Sequence, residues 1–70
     1  METTLRLKSS IVQNAIELNG ATNQQIRIYD SSGRLVGSTS NGHFGCAELE
    51  NGIYFVRASS GEQFKVIKIQ

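Results

Sequence analysis

Polar turn clusters recur along this chain at a nearly constant interval: Asn19-Gly20, Asp30-Ser31-Ser32-Gly33, Asn41-Gly42, Asn51-Gly52 and Ser59-Ser60-Gly61. A spacing of roughly ten residues is the one sandwiches and barrels use, and it leaves no room for a helix of ordinary length. Between the clusters lie short segments rich in Ile, Val, Thr, Tyr and Phe, residues that fit a pleated, half-buried surface. The chain reads as all-β. Strands are expected over residues 4–8, 15–18, 25–29, 35–40, 43–48, 52–58 and 62–69. Seven short strands with regular turns predict a small immunoglobulin-like β-sandwich.

Three segments sharpen this reading. Ile26 and Ile28 alternate with Arg27 and Tyr29, the period of two that buries one face of a strand and wets the other. The run Ile53-Tyr54-Phe55-Val56 is apolar on both parities, which predicts a central strand with a neighbour on each side and little exposed surface. In the last strand Phe64 and Val66 share one parity while Ile67 and Ile69 share the other. Either a bulge near Val66-Ile67 or burial of both faces would account for that break, and the bulge is the favoured expectation.

The turns are equally informative. Asp30-Ser31-Ser32-Gly33 predicts a hairpin: Asp bonds its own backbone two residues on, and Gly33 takes the left-handed conformation that closes a type I turn with a bulge. Leu49-Glu50-Asn51-Gly52-Ile53-Tyr54 has the Leu-x-x-Gly-x-Tyr spacing of a tyrosine corner at a sandwich crossover. A plain two-residue hairpin at Asn51-Gly52 is the alternative.

Seventy residues make one small domain, whose core supplies about 3–5 kcal/mol at best, too little to enclose a large active site. The seven Lys and Arg against six Asp and Glu give a charge of +1, so no overall field steers nucleic acid or an anionic membrane. Cys46, the one cysteine, cannot close an intrachain disulfide. Arg6, Lys8, Gln13, Asn14 and Glu17 interrupt the first twenty residues, leaving no apolar run for a signal peptide or a membrane span. A free-standing chain with that start would stay in the cytoplasm; otherwise Met1 is an added residue and any export signal lies upstream. Residues 1–14 are read as an added start or linker with a first strand, residues 9–14 being polar enough for loop, and residues 15–70 as the domain proper.

Chemistry is sparse. His43 and Asp30 are the sole His and Asp, the serines cluster in turns where hydroxyls bond local backbone, and Gly-x-Ser-x-Gly is absent, so no catalytic residue and no enzyme is expected. His43, Cys46 and Glu48 could be drawn as a metal site, yet structural zinc wants four ligands; a surface strand with a half-buried cysteine is the simpler reading, and no metal or cofactor is expected. Gly42-His43-Phe44-Gly45 lacks the strand-to-helix context that cradles phosphate. The aromatics read as core rather than as a base-stacking platform, because the seven cations are dispersed along the chain. Taken alone, Lys65 and Lys68 read as outward or edge-strand charges that discourage unwanted pairing.

Three blocks together carry a resemblance: Ile26-Arg27-Ile28-Tyr29-Asp30-x-x-Gly33-Arg34-Leu35-Val36, then Leu49-x-Asn51-Gly52-Ile53-Tyr54-Phe55-Val56-Arg57, then Gln63-Phe64-Lys65-Val66-Ile67-Lys68. In order and spacing they resemble the C-terminal sorting domain of the type IX (Por) secretion system, over about residues 15–70. The resemblance implies a small immunoglobulin-like sandwich that acts as an address rather than a catalyst. The cargo of that family crosses the periplasm, the folded domain is recognised by the outer-membrane translocon, and a sortase-like surface protease commonly removes it. The cargo ends on the outer-membrane surface or outside the cell. No membrane insertion by the domain itself is implied.

By the same resemblance, Asp30, Gly33 and Arg34 in the turn block and Leu49, Gly52 and Tyr54 in the corner block mainly make the fold. Lys65, Val66, Ile67, Lys68, Ile69 and Gln70 form the expected recognition strand. An Asn-Pro pair near the family's domain start has no counterpart, since the chain lacks proline. A non-catalytic spacer or adhesion module of a surface protein would also accommodate the first two blocks. Either reading leaves open sandwich edges that can pair into a dimer.

Overall fold

The computed structural model describes residues 6–19 and 25–69. Expectations falling on residues 4 and 5, on the Gly20 side of the first turn cluster and on Gln70 lie outside the described residues. Eight strands follow in order: β1 (Arg6–Leu7), β2 (Ile11–Val12), β3 (Ala15–Asn19), β4 (Ile26–Asp30), β5 (Leu35–Thr39), β6 (His43–Gly45), β7 (Gly52–Ala58) and β8 (Gln63–Lys68). They form a three-stranded sheet, β1-β3-β6, and a five-stranded sheet, β2-β8-β7-β4-β5.

The expected all-β sandwich is observed, with an eighth strand. Residues 9–14 are not all loop: Ile11 and Val12 pair in parallel with Ile67 and Lys68, and Val12 is buried. Polar flanks hide this short strand from pattern reading, because two residues are too few to show a period. The strand expected over 43–48 ends at Gly45, where the chain turns and Leu49 N–H donates to Cys46 C=O at 3.0 Å.

The core lies between the sheets. Ile26, Ile28, Val56 and Val66 from the large sheet are fully buried against Ile16 and Leu18 from the small one and Cys46 just beyond β6. The alternation in β4 is the expected one, with both isoleucines inward and Arg27 exposed. As its double apolar parity predicts, β7 is central, flanked by β4 and β8. Its outer side is less covered than expected, however, with Ile53 40% exposed and Phe55 half-buried.

No bulge interrupts β8. Its pairing with β7 runs without a shift from Arg57↔Gln63 to Gly52↔Lys68, so Phe64, Val66 and Lys68 point inward and Lys65 and Ile67 outward. The parity break in the sequence is met by burying a lysine, not by burying both faces or bending the strand. The irregularity sits instead in the β4-β5 hairpin, between Ile28 and Tyr29, whose partners are Gly37 and Leu35.

Candidate functional site

The turn block is held by one carboxylate. Asp30 Oδ1 accepts from Ser32 N–H at 3.0 Å, Ser32 O–H at 2.7 Å and Arg34 N–H at 2.9 Å. Gly33, at φ 91°, donates its N–H to Asp30 C=O at 3.0 Å, the left-handed conformation expected of it. The Ser32 hydroxyl first, and then the Arg34 amide, hold the Asp30 carboxyl below its ordinary range. Arg34 contributes chiefly through its backbone, since its exposed guanidinium reaches Asp30 Oδ2 at 3.9 Å.

The corner block is a tyrosine corner. Buried Tyr54 donates its O–H to Glu50 C=O at 2.7 Å, and Leu49 packs half-buried against the core. The chain here passes from β6 in the small sheet to β7 in the large one, so a plain hairpin at Asn51-Gly52 is excluded. Gly52 sits at φ 149°, a backbone conformation that residues with a Cβ rarely adopt.

The six recognition candidates divide by face. Val66 is fully buried; Lys65, Ile67 and Ile69 are exposed; Gln70 is outside the described residues. Lys68 departs from the expected outward charge: it is 4% exposed, and its Nζ donates to Ile69 C=O at 3.1 Å. Its aliphatic stem fills the inner slot that continuous pairing with β7 assigns to it, while the amine reaches a carbonyl at the sandwich end.

The backbone of β8 is only partly covered on its other side. Ile67 N–H donates to Ser10 C=O at 2.7 Å and Ile69 N–H to Val12 C=O at 2.9 Å, so these amides point toward β2. By the strand's alternation the amides of Gln63 and Lys65 point the same way, and among the described residues no strand pairs with residues 63–65 on that side. Among the described residues this is an open stretch of sheet edge beside the exposed isoleucines.

Sequence reasoning did not find the apolar row on the outer face of the large sheet. Ile11, Ile67 and Ile53 stand side by side on β2, β8 and β7, at 55%, 38% and 40% exposure. The bulge or double burial expected of β8 would have turned Ile67 inward, and the adjacency of the three depends on the register of three strands.

The groups considered for chemistry are apart or occupied. On the outer face of the small sheet, His43 Nδ1 lies 3.2 Å from Glu17 Oε2, and Lys8 Nζ lies 3.3 Å from Glu17 Oε1. Hydrogen bonding and charge from Lys8, followed by His43, lower the Glu17 carboxyl. Cys46 is not half-buried but 1% exposed, and burial pushes its thiol up, away from the reactive thiolate. Among the described residues no group of three or more His, Cys, Asp or Glu side chains is placed to hold a metal ion.

The fold is thus a small β-sandwich with a tyrosine corner, an Asx-braced hairpin and a last strand whose outer edge is open at residues 63–65 among the described residues. The family described as the secretion system C-terminal sorting domain matches residues 9–70, and the chain belongs to it. No curated protein and no solved structure matches. The chain is therefore a type IX sorting signal carried by an exported protein, addressed to the secretion machinery and destined for the cell surface or the extracellular space.

Proposed function

We propose that the folded sandwich is read by the outer-membrane translocon through β8, on the periplasmic side, with a strand of the partner adding to the open edge at residues 63–65. The observation that carries this reading is the outer side of residues 63–65, unpaired among the described residues, next to outward-facing Lys65, Ile67 and Ile69. Strand addition draws its affinity from main-chain hydrogen bonds and its specificity from alternate side chains. In β8 those alternate side chains are Lys65 and Ile67, while Val66 and Lys68 hold the strand in the core. Gln70 continues the same recognition segment.

In this reading the domain catalyses nothing and binds no cofactor; a separate sortase-like surface protease removes it after passage. The test is surface display of an exported reporter fused ahead of residues 2–70, in cells with and without the translocon. Display only in cells with the translocon supports the reading, as does its loss on deleting residues 65–70. A reporter that stays periplasmic in both cells returns the chain to the spacer reading.

A further inference from the structure

The outer face of the large sheet is graded along the strands. Beside the isoleucine row lies a second, Lys65↔Phe55↔Tyr29↔Leu35, and beyond it a third, Gln63↔Arg57↔Arg27↔Ser38. Arg27 and Arg57 are therefore direct cross-strand neighbours, both exposed, with Lys65 one row away. No acidic side chain stands in any of the three rows, and none of these three cations makes an ion pair among the described residues. The small sheet does the opposite, setting Glu17 between Lys8 and His43.

Like charges directly opposite in a sheet destabilise it, so an uncompensated arginine pair opposes folding. Arg57 also lies between two shallow depressions, one lined by Tyr29, Gly33, Phe55 and Gln63, the other by Gln25, Arg27, Ala58 and Ser59. Two guanidinium forks beside a half-buried aromatic pair match a carboxylate neighbouring an apolar side chain, the combination that Arg and Tyr dominate at protein interfaces.

We infer that this face docks an acidic protein surface, with a Glu or Asp carboxylate held by Arg27 and Arg57 and an adjoining apolar side chain seated against Tyr29 and Phe55. Charge complementarity selects this occupant over a second copy, because face-to-face packing of two such surfaces would bring cations together. Paired guanidinium forks beside half-buried Tyr29 and Phe55 fit a carboxylate next to an apolar side chain, the pairing a protein surface presents. The inference goes beyond the reading of β8, since both arginines lie outside residues 65–70.

The test is a nitrogen-15 NMR titration of the whole chain with the peptide acetyl-Glu-Leu-Glu-Phe-Glu-amide, beside its Gln-for-Glu counterpart and vesicles of phosphatidylglycerol in phosphatidylcholine. Resonances of Arg27, Tyr29, Phe55 and Arg57 should move with the acidic peptide at millimolar concentration and about tenfold more weakly with the Gln peptide. Raising salt should weaken the binding. Arg57→Gln and Arg27→Gln should each lower affinity about tenfold while the thermal midpoint holds or rises, a combination that a merely structural role does not produce. Equal shifts with both peptides, shifts with vesicles alone, shifts following chain concentration alone, or no shift at all would each overturn the inference.

Discussion

Tyr54, Gly37 and Lys68 show how single residues shape this sandwich. The Tyr54 hydroxyl is buried and donates to one carbonyl, so Tyr54→Phe removes that bond and leaves Glu50 C=O without it. The expected loss is about 1 kcal/mol in urea unfolding, with the slope unchanged. Gly37 lies under the Phe44 ring, which bridges from β6 to β5, and a Cβ there would occupy the ring's own space. Gly37→Ala should therefore cost about 1–3 kcal/mol, with Phe44→Leu reducing the penalty in the double variant.

Lys68 carries the opposite sign. Its amine is withdrawn from water for one carbonyl, while its stem packs where an apolar residue could sit. Lys68→Met should keep the packing and leave stability equal or up by about 1 kcal/mol in the same measurement. A loss above about 1 kcal/mol would show instead that the amine holds the strand end.

At the scale of elements, β8 has two sides that proline distinguishes. The Lys65 amide points to the open edge and the Val66 amide to β7, so only the second takes part in the ladder. Val66→Pro should cost about 3 kcal/mol or more, whereas Lys65→Pro should leave a cooperative transition by circular dichroism. If the partner adds a strand, Lys65→Pro nonetheless abolishes reporter display; unchanged display would exclude strand addition at that amide.

The same strand shows why its register escaped sequence reading. A rule that sends apolar side chains inward needs a bulge after Val66. The structure keeps every pair with β7 and accepts an inward Lys68, because lysine's methylenes can line a core and two isoleucines can remain on a surface. The hairpin and the corner were legible, since their residues act within six positions of one another: Asp30 on Ser32 and Arg34, Tyr54 on Glu50.

For the whole molecule, two depressed carboxyls are expected to contribute to the acid limb of stability. Asp30 and Glu17 are both held below their ordinary values, 3.8 and 4.5. A carboxyl whose folded value is depressed contributes stability that is fully present above its unfolded value and is lost as pH falls through the folded one. The thermal midpoint should therefore be insensitive to these groups above about pH 5 and decline below it. Asp30→Asn with Glu17→Gln should flatten that decline, and an unaltered acid limb would show that neither carboxyl contributes to it.

The sequence by itself determined the all-β class, the Asp30 hairpin and the resemblance to sorting domains, and narrowed residues 49–54 to a tyrosine corner or a plain hairpin, because turn chemistry and two-residue alternation act over short stretches of chain. Tertiary structure alone decided that Ile11 and Val12 join the large sheet, that Lys68 is buried and that Arg27 meets Arg57. Each of these follows from which strands lie side by side and in what register. Register is a choice among long-range pairings that a strand's own alternation leaves open.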